Sequence, residues 1–412
     1  MPTRAIILRH GQSSYNAQKK IQGRCDESVL TEKGRLQAEI AGDALKQLAI
    51  NTLYCSPLQR ARETAEILRQ RFEIPPTLAV SDSLMEIDLP LWENRLKQEV
   101  SAQFPEDYRC WKEQPHEFKM ALATANGQRD HFPVLSLYEQ AKQFWQSVLP
   151  RHEGQTILIV AHNGINRCLL MSALGISPAR YHSIQQSNCC VNVLNFAGGW
   201  GEPVQLESLN QTSHLGVALP PPRPGHCGPR LLLVRHGETQ WNRESRFQGI
   251  RDIPLNEVGR QQAEKAGAFL REVALDFAVS SHLLRPKETA EIILRHHPQI
   301  NLQLESPLQE ICHGLWEGKL ETEIEAAFPG LLQQWKEAPE TVQMPEGENL
   351  QQVWQRAVPC WEAIVKRFNS PTPPQVGIVV AHDAINKVIL RSEEHTSELQ
   401  SHSDLVCRLL LE

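Results

Sequence analysis

Two short segments combine residue types that could carry out chemistry. Ile6-Ile7-Leu8 is followed by Arg9-His10-Gly11, and Leu232-Leu233-Val234 is followed by Arg235-His236-Gly237. A neutral imidazole can act as a nucleophile, and a guanidinium binds phosphoryl oxygens through paired hydrogen bonds. The glycine lets the backbone approach a ligand closely. The pattern predicts phosphoryl transfer at each segment, with His10 and His236 as nucleophiles.

A second arginine and a second histidine recur further along. Arg60 and Arg285 hold the same place in matching segments, as do His162 and His382. Together with the arginine beside each nucleophile, they would neutralise one phosphate and stabilise the transferring group. An arginine on a helix is more often a solvated surface residue, so only the repetition favours a functional role.

A leaving alcohol needs a proton, and one glutamate recurs in an apolar setting. Leu84-Met85-Glu86-Ile87 matches Leu308-Gln309-Glu310-Ile311. Apolar surroundings raise the pKa of a carboxyl group, so Glu86 and Glu310 are the predicted proton donors. The alternative is an ordinary surface carboxylate. This chemistry requires no metal and no cofactor.

These matches indicate a duplicated domain of about half the chain. The offset is 226 residues between His10 and His236 and 220 between His162 and His382, and the matches keep the same order. A proline-rich stretch between the copies predicts a semi-rigid linker. We therefore predict a first domain at 1–210, a linker at 211–229 and a second domain at 230–390.

The elements that must position these residues follow from the apolar runs. The runs 6–8, 53–55 and 156–161 are short and rich in branched residues, which is typical of buried parallel strands. Between them, the segments from Thr31 and from Gln59 to Arg71 have apolar residues at helical spacing, the first behind a threonine cap. Alternation of strands and helices predicts layered α/β domains.

Residues 391–412 do not continue the repeat. The second copy follows the first up to Leu390, but nothing after it matches Ser172 to Asn195. Arg391 to His402 reads as the translation of a common DNA-sequencing adapter, so we expect an assembly artefact; a natural divergent tail is the alternative. On this expectation the second domain is truncated and exposes a sheet edge.

Composition restricts the partners. Hydrophobic residues make up 41% and charged residues 22% of the 412 residues, and the net charge is −6. This balance predicts a globular cytoplasmic protein that binds neither nucleic acid nor membranes. The ten cysteines are scattered and are predicted to be reduced. The sequence leaves the oligomeric state open, with a homodimer as one candidate.

The motifs resemble those of the histidine phosphatase superfamily, which includes cofactor-dependent phosphoglycerate mutase. The resemblance rests on Arg235-His-Gly-Glu-Thr-Gln-Trp-Asn242, Phe247-Gln-Gly249 and Pro254-Leu-Asn-Glu-Val-Gly259. It implies two tandem phosphoglycerate-mutase-like domains, each a three-layer α/β/α fold. The tandem architecture is similar to that of the plant and cyanobacterial carboxyarabinitol-phosphate phosphatase type. In the second copy the resemblance implies that His236 is the phosphorylated nucleophile and Glu310 the proton donor, and that substrate is bound by Arg235, Asn242, Gln248, Gly249, Arg285 and His382. In the first copy it implies that His10 is the nucleophile and Glu86 the proton donor, and that substrate is bound by Arg9, Asn16, Arg60 and His162.

The copies depart from the family pattern in different ways. The first has Gln12-Ser13 in place of Glu-Thr, and neither has a double glycine after the second histidine. The predicted function is metal-independent hydrolysis of a small phosphomonoester, a sugar phosphate or phosphorylated acid, through a phosphohistidine. The alternatives are phosphoglycerate mutase activity, or a non-catalytic copy that binds a phosphorylated ligand and regulates the other.

Overall fold

The computed structural model describes residues 2–124, 127–217, 219–221, 228–369 and 374–392. The chain forms two compact units, Met1–Pro221 and Pro222–Glu412, here called domain 1 and domain 2. Residues 218 and 222–227 of the predicted linker, and 393–412 of the predicted tail, lie outside the described residues. The domain and linker bounds stay predictions.

The strands of domain 1 come first along the chain. They are β1 Thr3–Arg9, β2 Thr52–Cys55, β3 Thr77–Val80, β4 Met120–Thr124, β5 Gly127–His131, β6 Thr156–Ala161, β7 Val191–Phe196 and β8 Val204–Gln211. Those of domain 2 are β9 Arg230–Arg235, β10 Phe277–Ser281, β11 Leu302–Glu305 and β12 Val376–Ala381.

Helices alternate with these strands, joined by short 3₁₀ turns. Domain 1 contains α1 Ser14–Gln18, α2 Glu32–Leu45, α3 Gln59–Arg69, α4 Lys97–Gln103, α5 Pro105–Glu113, α6 Pro133–Val148 and α7 Asn163–Ala173. Domain 2 contains α8 Gln240–Arg243, α9 Glu257–Leu270, α10 Leu284–Leu294, α11 Glu321–Ala327, α12 Leu331–Glu337, α13 Leu350–Arg367 and α14 Asp383–Ser392.

Domain 1 is a three-layer α/β/α structure, as predicted. Side chains of β1 alternate between two cores because neighbouring residues of a strand point to opposite faces. Ala5 and Ile7 join the core formed with α6 and α7, whereas Ile6 and Leu8 join the core formed with α2 and α3. The sheet is therefore buried on both faces, which explains the continuous apolar runs in the sequence.

The sheet of domain 1 has the strand order β3-β2-β6-β1-β7-β8. Strands β1, β2 and β6 are parallel, as predicted, and β3, which was not predicted, is parallel to β2. Strand β7 pairs with β1 in the antiparallel direction, and β8 pairs with β7 in the same way. The prediction of buried parallel strands is thus confirmed for the centre of the sheet. The antiparallel edge makes the sheet mixed.

Among the described residues, the sheet of domain 2 has four strands in the order β11-β10-β12-β9. They are parallel throughout, with β12 between β10 and β9. Strand β9, which leads to His236, is the outer strand of this described sheet, whereas β1 in domain 1 is covered by β7. The sheet edge expected for domain 2 stays a prediction, because residues 393–412 lie outside the described residues.

Capping residues fix the start of the helix that faces each nucleophile. The side chain of Thr31 accepts a hydrogen bond from Gly34 N at the start of α2, and Asn256 accepts one from Gly259 N at the start of α9. Such caps satisfy backbone donors that have no partner within the helix. The predicted threonine cap is confirmed. In the described part of the chain, none of the helices has both the length and the apolar character needed to cross a bilayer.

Candidate active site

Both predicted nucleophiles lie at the carboxyl end of the first strand of their domain. Nδ1 of His10 lies 2.7 Å from Gly11 O, and Nδ1 of His236 lies 2.7 Å from Gly237 O. A carbonyl oxygen only accepts, so Nδ1 carries the hydrogen and Nε2 keeps its lone pair. Nε2 is therefore the atom available for attack at phosphorus.

The electrostatics of the site keep these imidazoles neutral. Burial, followed by the nearby guanidinium groups, lowers the pKa of His10 and of His236 well below the usual value of 6.5. Desolvation disfavours a charged group, and neighbouring positive charges disfavour a further one. Both histidines are thus in the nucleophilic form near neutral pH.

The second histidine of each domain lies against the first. Ring centroids of His10 and His162 are 5.2 Å apart, and those of His236 and His382 are 5.2 Å apart as well. Both second histidines are fully buried, and burial is the largest cause of their lowered pKa. In both, Nδ1 is buried without a hydrogen-bond partner. That nitrogen is suited to bind a phosphoryl oxygen.

Two serines orient these second histidines, and sequence reasoning missed them. Ser56 Oγ lies 2.8 Å from Nε2 of His162, and Ser281 Oγ lies 3.0 Å from Nε2 of His382. Ser56 directly follows β2, Ser281 is the last residue of β10, and both are fully buried. The signal was present, because they occupy the same position in the matching segments 54–68 and 279–293.

The arginines on α3 and α10 are buried, so a surface role is excluded. Arg60 is 0% and Arg285 is 1% exposed. Arg60 donates to Cys25 O at 3.0 Å and to Gly23 O at 2.9 Å. Arg285 makes the same pair of bonds to carbonyl oxygens of the loop after α8 and adds an Nε contact of 3.2 Å to Nε2 of His236. Each guanidinium is thus fixed beside its nucleophile.

The arginine before each nucleophile is held differently in the two domains. Arg9 is buried, donates to Gln186 O at 2.7 Å, and has an Nε without a hydrogen-bond partner. The Nε of Arg235 also has none. Gln186 belongs to the segment before β7, for which the described part of domain 2 has no counterpart.

The predicted proton donors lie at the N-termini of α7 and α14. Glu86 accepts hydrogen bonds from the backbone N–H groups of Ile87, Gly164 and Ile165 at 2.9, 3.1 and 3.2 Å. Glu310 accepts from Ile311 N at 2.9 Å and from Ala384 N at 3.5 Å. Burial raises the pKa of Glu310, in the direction predicted from its apolar context.

Hydrogen bonds also fix the backbone of each glutamate. In domain 2, Arg356 on α13 donates to Gln309 O at 2.8 Å and to Glu310 O at 3.0 Å, and pairs with Glu348 at 2.8 Å. Arg356 is mostly buried. This arginine was missed because its partners are backbone oxygens, which leave no trace in the sequence.

Domain 1 replaces that single arginine by two residues. Gln140 on α6 donates to Ser83 O and Met85 O, and Arg24 donates to Glu86 O at 3.1 Å. Nη2 of Arg24 also donates to Oε1 of Gln140 at 2.9 Å. The same loop is therefore fixed by a different set of side chains in each domain.

Asn16 and Asn242 close the turn that follows each nucleophile. Oδ1 of Asn16 accepts from Ser13 N at 3.2 Å, and Oδ1 of Asn242 accepts from Thr239 N at 3.1 Å. In domain 1, Asn188 Nδ2 donates to Asn16 Oδ1 at 3.1 Å and to the backbone oxygen of the nucleophile at 3.0 Å. Both predicted asparagines thus shape the turn, and their contact with substrate stays a prediction.

The Gln-Gly pair predicted in domain 2 has an equivalent in domain 1 that was overlooked. Gln248 Oε1 accepts from Thr239 Oγ1 at 2.8 Å, and Gln22 Oε1 accepts from Ser13 Oγ at 2.9 Å. Gly249 and Gly23 have positive φ angles of 55° and 50°, a conformation that favours glycine. The shared Gln-Gly dipeptide was the signal.

The glycine after each nucleophile has a packing role. A Cβ atom at Gly11 would lie 2.3 Å from Gly34 O, and one at Gly237 would lie 2.3 Å from Gly259 O. The structure therefore gives a different reason for these glycines from the predicted approach to a ligand. They let the nucleophile loop pack against the first turn of α2 or α9.

In domain 2 these residues enclose a cavity of about 210 Å³. Its wall contains every predicted site residue of this domain except His382, whose ring contacts His236. No group of three or more potential metal ligands was found in the described ranges. The cavity is lined by Arg235, His236, Asn242, Arg246, Phe247, Gln248, Gly249, Arg285, Glu310, Ile311, His313, Trp335, Asp383 and Ala384.

His313 is a further residue of this cavity that the sequence analysis did not single out. Burial lowers its pKa to about 4, so the ring is neutral near pH 7. Its Nδ1 is buried without a hydrogen-bond partner, and its ring contacts those of Phe247 and Trp335. Domain 1 has the apolar Leu89 at this place, so the two sites offer different surfaces to a substrate. Trp316 is fully buried.

Residues 5–209 and 231–403 each match the family model of the histidine phosphatase superfamily, branch 1. The chain belongs to this superfamily. The two matches confirm the tandem arrangement, and the second extends beyond residue 390, the predicted end of the second domain. Superfamily membership also confirms the predicted class of enzyme.

Several relatives of this histidine phosphatase carry names that state an activity. The 2-carboxy-D-arabinitol-1-phosphatase of Triticum aestivum is 30% identical over 94% of this chain and 77% of its own length. A probable 2-carboxy-D-arabinitol-1-phosphatase of Arabidopsis thaliana is 35% identical over 70% of this chain and 58% of its own length. Phosphoserine phosphatase 1 of Hydrogenobacter thermophilus is 29% identical over 51% of this chain and 93% of its own length.

Proposed function

We propose that this protein hydrolyses a small phosphorylated acid or sugar phosphate through a phosphohistidine intermediate, without metal or cofactor. The observation that carries the proposal is the neutral His236, whose Nε2 is unprotonated, in a cavity that is also lined by Arg235, Arg285 and the buried Glu310. The residues of domain 1 have an equivalent arrangement. Nucleophile, charge stabilisation and proton donor are the three groups that this chemistry needs.

In the first half-reaction, Nε2 of the nucleophilic histidine attacks phosphorus. The N–P bond forms as the ester P–O bond breaks, and the leaving alcohol oxygen takes the proton of Glu86 or Glu310. The guanidinium groups of Arg60 or Arg285, fixed by backbone carbonyls, stabilise the charge on the phosphoryl oxygens.

In the second half-reaction, the glutamate, now a carboxylate, removes a proton from water. The water oxygen attacks phosphorus, the N–P bond breaks, and inorganic phosphate leaves. The histidine returns to its neutral form and the glutamate to its acid form, so the cycle closes without another reactant.

The names of the relatives support the phosphorylated-acid class. Phosphoserine carries a carboxylate beside its phosphate, and so does a carboxyarabinitol phosphate. We therefore place such acids first in a substrate panel. We also propose a cytoplasmic location and retain the homodimer as a candidate oligomeric state.

The test is turnover of p-nitrophenyl phosphate, phosphoserine, 3-phosphoglycerate and neutral sugar phosphates in the presence of EDTA. Wild type is compared with His10→Ala, His236→Ala and the double variant. We expect metal-independent phosphate release that the double variant abolishes, and the single variants assign it to a domain. Conversion of 3-phosphoglycerate to its isomer without phosphate release would instead favour a mutase. Absence of both from well-folded protein would overturn the proposal.

A non-catalytic role for domain 1 is the second candidate. It is favoured by Glu86, whose carboxylate is bound by three backbone N–H groups, and by the changed loop with Leu89 in place of His313. Trapping of a phosphoenzyme in the His236→Ala variant by alkaline denaturation, in which the N–P bond of a phosphohistidine survives, decides the matter. Phosphorylation of His10 excludes this role, whereas ligand binding without phosphorylation supports it.

A further inference from the structure

The two domains differ in one small residue that faces the proton donor. Two positions after the second histidine, domain 1 has Gly164 and domain 2 has Ala384. Both lie in the first turn of a helix whose N-terminus points at the glutamate, α7 or α14. Ala384 also lines the cavity of domain 2.

In domain 1 there is no space for a methyl group at this position. A Cβ atom at Gly164 would lie 2.4 Å from Oε1 of Glu86 and 2.5 Å from Oη of Tyr181. Real Cβ contacts are not this short, so the carboxylate occupies the volume that a methyl group would need. Glycine thus allows Glu86 to lie on the N-terminus of α7, where it accepts hydrogen bonds from Gly164 N and Ile165 N.

In domain 2 the methyl group is present and the glutamate has moved away. The bond from Ala384 N to Glu310 is 3.5 Å, which is 0.4 Å longer than the 3.1 Å bond from Gly164 N to Glu86. Ile165 N also donates to Glu86, at 3.2 Å. Within the described residues, the corresponding Ile385 N makes no such bond to Glu310.

We propose that Ala384 is a positioning residue that keeps Glu310 off the N-terminus of α14, so that domain 2 protonates poor leaving groups more effectively than domain 1. Ala384 acts through Glu310 and takes no part in bond making or breaking. In the part of the chain that the structure describes, Oε2 of Glu310 accepts only the long 3.5 Å bond from Ala384 N, so this oxygen can carry a proton and deliver it to the ester oxygen. Glu86 must first release an N–H group to do the same. The inference rests on the proposed phosphatase function.

The experiment compares p-nitrophenyl phosphate with phenyl phosphate. The two esters have almost the same shape, but phenoxide is the more basic leaving group and depends more on a proton donor. The key variant is Ala384→Gly in the His10→Ala background, so that only domain 2 turns over. Ala268→Gly, at an exposed position of α9, is the control for the loss of helix propensity.

We expect Ala384→Gly to lower kcat for phenyl phosphate about tenfold while changing that for p-nitrophenyl phosphate less than about threefold. Glu310 should also lose its proton at lower pH in this variant. The alkaline limb of the plot of kcat against pH should therefore move to lower pH. The reciprocal Gly164→Ala, made with Tyr181→Phe to provide space, should raise the phenyl to p-nitrophenyl ratio of domain 1.

An equal fall for both esters in Ala384→Gly, or a profile that does not move, would overturn the inference, because a general structural defect has no leaving-group dependence. If the Gly164→Ala variant does not fold, the Ala384→Gly variant still tests the positioning role of Ala384. Failure of the proposed function is recognised separately, since the parent His10→Ala protein would then release phosphate from neither ester.

Discussion

The Nε of Arg285 lies 3.2 Å from Nε2 of His236, whereas the corresponding Nε of Arg60 is buried without a partner. In domain 2 the guanidinium therefore engages the lone pair that would attack phosphorus in the proposed mechanism. A phosphoryl group that enters the cavity has to displace this contact. Nε of Arg285 would then be free to bind a phosphoryl oxygen, while Nη1 and Nη2 keep their bonds to Arg251 O and Gly249 O.

Replacement of Arg285 by lysine tests this arrangement. An ammonium group cannot bond two carbonyls and a phosphoryl oxygen in the planar geometry of the guanidinium. We expect Arg285→Lys, in the His10→Ala background, to lower kcat/KM for p-nitrophenyl phosphate about 100-fold or more, by analogy with the loss of one oxyanion donor. The matched control is Arg260→Lys, because Arg260 forms a part-exposed ion pair with Glu288. A fall below tenfold would contradict the assigned role.

The buried neutral histidines predict how stability depends on pH. Burial lowers the pKa of four histidines well below 6.5, so the unfolded chain binds more protons than the folded one as pH falls below that value. Stability is therefore complete above pH 6.5 and is lost as pH decreases. The expected slope is about 1.4 kcal/mol per pH unit for each histidine.

Urea unfolding of full-length protein between pH 5 and pH 8 measures this slope. The variant His162→Asn should reduce the slope of the unfolding free energy against pH by the contribution of one histidine. His296→Asn, at an exposed position, is the control and should not change it. A stability that is flat or rises towards pH 5 would show that these imidazoles are not kept neutral.

The hydrogen bonds from Arg356 to the backbone of Glu310 predict a stability effect in domain 2. Arg356→Gln removes the bond to Glu310 O and leaves Glu348 without its cation. We expect a loss of about 1–3 kcal/mol, because buried acceptors lose their donor. The exposed Arg367, which pairs with Glu305, provides the control Arg367→Gln, with a change within about 0.5 kcal/mol. Equal losses of stability in the two variants would contradict the stabilising role of Arg356.

The glycine contact at the nucleophile loop predicts that alanine is not tolerated there. In Gly11→Ala, the new methyl group would overlap Gly34 O, so the loop that carries His10 must shift. We expect a destabilisation of about 1–3 kcal/mol and loss of phosphorylation at His10. Gly199→Ala is the control, since a Cβ there meets nothing within 4 Å. Wild-type urea midpoints for both variants would contradict the packing role.

The repeat made much of the site predictable. Strand β1, the Thr31 cap of α2 and the position of His10 follow from neighbouring residues in the sequence, because apolar runs and capping side chains act locally. The repetition then indicated that Arg60 and Glu86 belong to the same site, although either could be a surface residue in isolation. The antiparallel β7 was not predictable, because strand direction depends on the path of the chain between strands.

The sequence by itself determined the duplication, the strand-to-histidine junctions and the residue types at the phosphate site, since these depend on local spacing and on comparison of the two copies. Only the tertiary structure decided that Ser56 orients His162, 106 residues away, and that Arg356 binds the backbone of Glu310. It also placed Ala384 N 3.5 Å from Glu310, where Gly164 N lies 3.1 Å from Glu86 in domain 1. The physical reason is that hydrogen bonds and contacts of this kind join segments far apart in the chain, often through backbone atoms that every residue has in common.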